Sequence, residues 1–364
     1  MPEQGAHLVV NPADLTDAEI RPAHFPEGGG LAPGRCLLRI DRFAMTANNV
    51  TYGRASRQLG YWEFFPHAGD YGRIPAWGFA DVIQSNSPDV REGWRVYGFL
   101  PMSTHLEIEP GQMNGHSMMD VSAHRADKAP IYNQYLFTKA DPAYRPEHEG
   151  LISLYRPLYT TAFLLDDFHR RNDFFGAEAV AITSASSKTS LGLAHALKAG
   201  GGARSVGLTG AANRAFVEGL GLYDQVVAYD ELDAIGAKTL AYVDMAGNGD
   251  VRRALHNRFG DGLTGACLVG GTHWTSRVRD SADLPGAKPQ FFFAPTYAQE
   301  RVREWGVAGF HARLGEAWAA FIADAARWTD VRETRGPDAS LGVYLDCVGG
   351  RIPPNVGAIL SLAE

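Results

Sequence analysis

Apolar and polar positions alternate with a period of two in the first part of the chain, as in Arg35-Cys-Leu-Leu-Arg-Ile-Asp41, Ala80-Asp-Val-Ile-Gln-Ser85 and Trp94-Arg-Val-Tyr-Gly-Phe99. Such runs predict half-buried strands, and gaps such as Phe65-Pro-His-Ala-Gly-Asp-Tyr-Gly72 predict tight turns. Residues 1–145 therefore read as a twisted, barrel-like β-rich region, within which 103–150 shows no clear period. From about residue 151 the pattern changes. Leu158–His169 has helical spacing, and short apolar runs then alternate with helical ones. Strands are predicted over Val180–Thr183, Ser205–Thr209, Gln225–Tyr229, Thr239–Met245 and Gly265–Gly270, with helices over 190–199, 213–220 and 250–258. This alternation predicts a parallel sheet with helices on both faces. Helical patterns over Tyr297–Arg303 and Leu314–Arg327 and a strand-like Ala358–Leu362 follow. The expected fold class is α/β, with a β-rich domain over 1–150, a doubly wound domain over 151–299, and a segment over about 300–364 that completes the first domain.

Composition narrows the function. The 364 residues suit two domains, and 45% apolar with 21% charged residues suits a globular chain. The net charge of −7 argues against nucleic acid as the main ligand, which needs clustered Lys and Arg. No apolar run has membrane-spanning length, and the N-terminal Met-Pro-Glu-Gln-Gly-Ala-His lacks the features of a secretory leader, so a cytoplasmic location is expected. Cys36, Cys267 and Cys347 are far apart, match no zinc spacing and imply no disulfide framework; small core residues are expected.

The richest stretch is Ala179-Val-Ala-Ile-Thr-Ser-Ala-Ser-Ser-Lys-Thr-Ser190: a buried strand, a loop of small hydroxylated residues, then a helix. A helix N-terminus after a strand offers unpaired N–H groups and a positive dipole end, which suit a pyrophosphate. Ser184, Ser186, Ser187, Thr189 and Ser190 add hydroxyls, and Lys188 adds a charge. Lys188-Thr189 does not make a P-loop, because Thr183, Ser184 and Ser187 stand where that motif needs glycine. A site for NAD usually carries an acid at the end of the second strand, on the ribose 2′-hydroxyl. Here that stretch reads Val206-Gly-Leu-Thr-Gly-Ala-Ala-Asn-Arg214, with no acid. Thr209, Asn213 and Arg214 suit a 2′-phosphate instead, and Tyr229 ends the third strand beside them, so NADP(H) is the expected cofactor.

Several segments in order resemble the medium-chain dehydrogenase/reductase superfamily, in its zinc-free quinone-reductase and enoyl-reductase branch. They are Gly34–Asn49 for the opening strand and turn, Ile74–Ile83 with Glu92–Phe99 for the paired motifs of the GroES-like domain, and Leu158–Phe163 for the helix before the cofactor domain. Arg214 and Tyr229 match the lysine and tyrosine that hold the NADP phosphate in quinone reductases. The resemblance implies a Rossmann-type cofactor domain, a GroES-like β-rich domain, a small-molecule substrate and a homodimer. It also implies hydride transfer to a carbonyl-conjugated double bond or a quinone, without zinc. Ser186-Ser-Lys-Thr189 replaces the family's Gly-rich loop, and 103–150 has no clear counterpart.

Such chemistry needs a protein group to polarise the substrate oxygen. Tyr52 is the first candidate and Asn49 the second, with Asn48 beside them in the expected turn. Thr160 and Thr161 are expected near the nicotinamide, and Gly270 and Gly271, followed by Thr272 and His273, are expected to let it approach closely. Tyr61, Trp62, Phe64 and Phe65 are open to two readings, the mouth of an apolar pocket or core. His105, His116 and His124 have spacings of 11 and 8 that fit no helical face and no metal is expected. Tyr135 and Lys139 have the spacing of a short-chain dehydrogenase acid but precede the cofactor loop, which is the wrong order. Two other readings stay open: a dinucleotide-binding sensor or scaffold with little catalysis, and a thioester enzyme whose Lys188, Arg204 and Arg214 bind coenzyme A.

Overall fold

The computed structural model describes residues 5–25, 30–141, 144–269 and 284–364, without the side chains of 55–59. The chain forms two compact units, Met1–Leu154 with Thr329–Glu364, and Tyr155–Trp328.

The first unit opens with a hairpin, β1 (Gly5–Asn11) and β2 (Asp14–Ala23). Then come β3 (Cys36–Met45), α1 (Ala47–Leu59), β4 (Pro75–Ser85), β5 (Arg95–Pro101), β6 (His105–Ile108), β7 (Pro110–Gly111), β8 (Ser117–Asp120) and β9 (Gln134–Phe137). Helix α2 (Glu149–Arg171) starts in this unit and continues into the second. The alternating runs do form strands: Leu38 and Ile40 of β3 are buried while Arg39 between them is exposed. Strands β3 and β4 pair with a register shift between Ile40 and Arg42. There the chains approach so closely that a Cβ on Gly78 would stand 2.1 Å from the Arg42 carbonyl oxygen, so only glycine fits.

Three features of this unit differ from the expectations. The hairpin is new, because β2 is largely exposed and polar and carries no clean alternation. Residues 103–150 contain the short strands β6 to β9 and single 3₁₀ turns, pieces too brief to show a period. Asn48, Asn49 and Tyr52 lie on the helix α1, where a turn was expected. Thr46 caps that helix: its hydroxyl accepts from the Asn48 N–H, and the Asn49 side chain reaches back to the Thr46 N–H, a reciprocal capping box.

In the second unit β10 (Ala179–Ile182), α3 (Lys188–Gly200), β11 (Arg204–Thr209), α4 (Ala211–Leu220), β12 (Gln225–Ala228), β13 (Leu240–Asp244), α5 (Gly249–Phe259), β14 (Leu263–Val269) and β15 (Gln290–Phe292) follow in order. They build a parallel six-stranded sheet ordered β12-β11-β10-β13-β14-β15. All four residues of β10 are buried, as a central parallel strand requires. One side of the core joins Ala179, Ala181, Val206, Leu208, Leu240, Tyr242 and Leu255. Helix α6 (Ala294–Trp328) covers the two helical patterns expected there, with Gly306 breaking it at φ 72°. It packs within the second unit, where Trp318 and Phe321 meet Tyr159 of α2. The chain returns to the first unit with β16 (Asp330–Arg335), α7 (Pro337–Val348) and β17 (Val356–Ser361). The larger sheet of that unit runs β16-β17-β3-β4-β5-β9-β8-β7, with β6 on β3; β16 and β17 are parallel and the rest antiparallel.

No helix among the described residues is long and apolar enough to cross a membrane. Cys36 and Cys267 are buried, and Cys347 is only partly so.

Candidate functional site

The sheet of the second unit reverses its strand order between β10 and β13, and ligands of open α/β sheets bind outside the carboxyl ends of the strands at such a switch point. The Ser/Thr loop leaves β10 at this place. Thr183, buried, stitches the two strand ends together. Its hydroxyl accepts from the N–H groups of Met245 (2.8 Å) and Ala246 (3.0 Å) and lies 3.2 Å from Asp244 Oδ1, to which it donates. The Asp244 carboxylate also accepts from the Gly247 N–H at 2.6 Å.

Ser184 has φ +52°, a left-handed conformation that favours glycine. The Ser184 N–H donates to the Tyr229 hydroxyl at 2.7 Å, which fixes the loop to the end of the third strand. Asn213 Nδ2 donates to Ser186 Oγ at 3.2 Å, tying the loop to the first turn of α4. Ser187 is the N-cap of α3 and accepts from the Ser190 N–H. Ser190, fully buried, donates its hydroxyl to the Thr183 carbonyl. Lys188 and Thr189 open the helix and are partly exposed.

The structure thus brings together Ser184, Ser186, Ser187, Lys188, Thr189, Thr209, Asn213, Arg214 and Tyr229 at the carboxyl end of three adjacent strands. Thr209 ends β11, buried, and its carbonyl accepts from the Tyr229 N–H. Arg214, on α4, is held by two carboxylates: its Nε donates to Glu218 at 2.8 Å and its Nη1 to Glu231 at 2.6 Å. The sequence offered Arg214 for a 2′-phosphate without these two carboxylate partners. Glu218 was legible as the i,i+4 partner on the same helix. Glu231 had no local signal, because it reaches Arg214 only once β12 lies beside β11. Thr160 and Thr161 donate their hydroxyls to the carbonyls four residues back in α2 (2.9 and 3.4 Å), an alternative to the nicotinamide contact expected of them. Gly270 and Gly271, with Thr272 and His273, lie outside the described residues.

The donor set fits a dinucleotide. A helix N-terminus, several hydroxyls and a lysine converge beside an arginine, and Gly192 lets α3 sit close to Tyr159 and Ala162 of α2, where a Cβ would be 3.0 Å from Ala162.

In the first unit Tyr52 is buried and its hydroxyl accepts from Trp77 Nε1 at 3.1 Å. Indole only donates, so the phenol keeps its own proton to give. Burial, with Tyr61 beside it, pushes the Tyr52 phenol well above its ordinary range, so it stays protonated. Asn49 is also buried. Its amide accepts from Thr46 and donates to the Pro75 carbonyl, which makes it a holder of the corner between β3 and α1. Of the aromatics with two readings, Tyr61, Phe64 and Phe65 are core, around Phe99, and Trp62 is partly exposed. Tyr135 lies on strand β9 with its hydroxyl on the Phe99 carbonyl, and Lys139 covers the Trp94 ring. His105 bonds Thr104, while His116 and His124 lie near the carbonyls of Ala140 and Phe64. Among the described residues no group of three or more His, Cys, Asp or Glu side chains could hold a metal ion.

A family model described as "Protein of unknown function (DUF2855)" matches residues 43–353. The chain belongs to the DUF2855 family. No curated protein matches its sequence. Its fold is that of the medium-chain quinone and enoyl reductases. It is similar to CurA in complex with NADPH from Vibrio vulnificus, at 13% identity and a TM-score of 0.64, covering 99% of each chain. It is also similar to the quinone oxidoreductase from Coxiella burnetii, at 12% identity and a TM-score of 0.57, covering 98% of this chain and 99% of that one. A third likeness is to the yhdH oxidoreductase from Salmonella enterica in complex with NADP, at 13% identity and a TM-score of 0.53, with the same coverage. Identities this low carry the fold, and activity must be argued from this chain's residues.

Proposed function

We propose that this DUF2855 chain is an NADPH-dependent, zinc-free oxidoreductase that reduces a carbonyl-conjugated double bond or a quinone. The observation that carries the reading is the hydroxyl-rich turn at the switch point, with Arg214 on α4 and Tyr229 bonded to the turn itself. The N-terminus of α3, Ser186, Ser187, Lys188 and Thr189 hold the pyrophosphate, and Thr209, Asn213, Arg214 and Tyr229 hold the adenosine end. Bound NADPH supplies a hydride, and the substrate takes up that hydride and one proton. Tyr52 is assigned as the donor to the substrate oxygen, because its hydroxyl oxygen accepts from Trp77 and Asn48 and so keeps its own proton to give. Asn49 supports it by fixing the start of α1.

The sensor reading has one observation in its favour. Four amides of the turn, those of Ser184, Ala185, Ser187 and Ser190, already have protein partners. A panel of enones, enoyl thioesters and quinones, followed by loss of NADPH absorbance, separates the two. The oxidoreductase reading expects turnover of at least one class well above the blank, and a loss of about 10²-fold or more in Tyr52→Phe, as expected on removal of a positioned acid. NADPH binding with no turnover of any class would favour the sensor.

A further inference from the structure

An exposed arginine beside an adenosine subsite would by itself favour a 2′-phosphate. Arg214 is not by itself. Glu218 takes its Nε from the next turn of α4, and Glu231 takes its Nη1 from the loop after β12. The triad carries one positive and two negative charges, and all three groups are open to solvent, with side-chain exposures of 39%, 50% and 50% for Arg214, Glu218 and Glu231. A 2′-phosphate brings close to two further negative charges, which the carboxylates of Glu218 and Glu231 repel and which compete with them for Arg214. A 2′-hydroxyl brings none, and it can donate to the Glu231 carboxylate while Arg214 stays paired. Dinucleotide sites that take a 2′-hydroxyl place an acid at the end of the second strand. Here the end of β11 has none, and an acid arrives from the neighbouring strand's loop instead.

We infer that Glu231 is a specificity-determining residue: it neutralises Arg214 and so restrains the preference for the 2′-phosphorylated dinucleotide over its unphosphorylated counterpart. This rests on the reading of Arg214 as the group that meets a 2′-phosphate. Glu218 has a different part. As an i,i+4 partner on one helix it holds the Arg214 side chain in place from the Nε side, and it leaves the outer edge of the guanidinium to Glu231.

The test is a fluorescence titration of the full chain with NADPH and with NADH, in the unaltered protein and in Glu231→Gln, Glu218→Gln and Arg214→Ala. The readout is the ratio of the two dissociation constants at low ionic strength, where exposed charges are least screened. Glu231→Gln is expected to raise the preference for NADPH about fivefold, the scale of one exposed charge interaction. Glu218→Gln is expected to raise it less, and Arg214→Ala to lower it. An unchanged ratio in Glu231→Gln alongside a lowered one in Arg214→Ala overturns the inference and leaves the Arg214 reading intact. An unchanged ratio in Arg214→Ala removes that reading and the inference with it. The exposed position of Glu231 keeps folding out of the result.

Discussion

Ser184 shows how a side chain can stand where backbone shape asks for glycine. Its φ of +52° is costly for an L-residue, at about 1–2 kcal/mol. The turn tolerates this because the Ser184 N–H and carbonyl are both bonded, to the Tyr229 hydroxyl and the Ser187 N–H. Ser184→Gly is therefore expected to stabilise the chain by about 0.5–1 kcal/mol, the relief of strain less the added freedom of the unfolded chain. Ser184→Val, which is β-branched, is expected to destabilise it. Urea midpoints of the two variants check this, and a lower midpoint for Ser184→Gly would mean the hydroxyl contributes more than its backbone costs. The absence of glycine was plain in the sequence. That the serine keeps a left-handed turn was not, because the turn is enforced by Tyr229, 45 residues later.

At the scale of elements, the hairpin β1–β2 forms its own two-stranded sheet and is held to the rest of its unit at a few points. The Leu8 N–H donates to the Met102 carbonyl, Val10 pairs with Gly72, and His7 Nδ1 lies 2.7 Å from Ser103 Oγ. Burial, then the nearby Arg73, His67 and His105, lower the His7 pKa from 6.5 to about 3. The ring thus stays neutral in the fold while the unfolded chain protonates it below about 6.5. Between those values the unfolded state binds more protons, so stability rises with pH and falls on acidification. His7→Gln, which can still bond Ser103, is expected to weaken the loss of stability between pH 7 and pH 5. Equal losses in the variant and the unaltered chain would assign the acid sensitivity elsewhere. The hairpin was not legible because its second strand, Asp14–Ala23, faces solvent along much of its length and carries no clean alternation. Five of the six strands of the parallel sheet were legible to within two residues at each end, while the three-residue edge strand β15 was too short to show a pattern. Fully buried runs such as Ala179–Ile182 and Leu240–Asp244 leave little freedom in where a strand can be.

At the scale of the whole chain, both units have the architecture of reductases whose identity with this chain is 11–13%. What persists at that distance is the fold. The turn of this chain carries hydroxyls and Lys188, and on the neighbouring helix α4 an arginine is paired with two carboxylates. Alternation, strand-helix order and the acid-free second strand were enough to find the fold and the β10–α3 turn. They could not find Glu231, since contacts between loops of adjacent strands exist only in the folded sheet. They also placed Asn49 in a turn, where the fold uses it to cap α1. The proposed oxidoreductase stands on NADPH binding by this turn and Arg214. The most direct measurement is the dissociation constant of NADPH for the full chain and for Arg214→Ala. Saturable binding is expected in the unaltered chain, weakened by about tenfold or more in the variant, as for loss of a charge-assisted bond. No binding, or equal binding by both proteins, would contradict it.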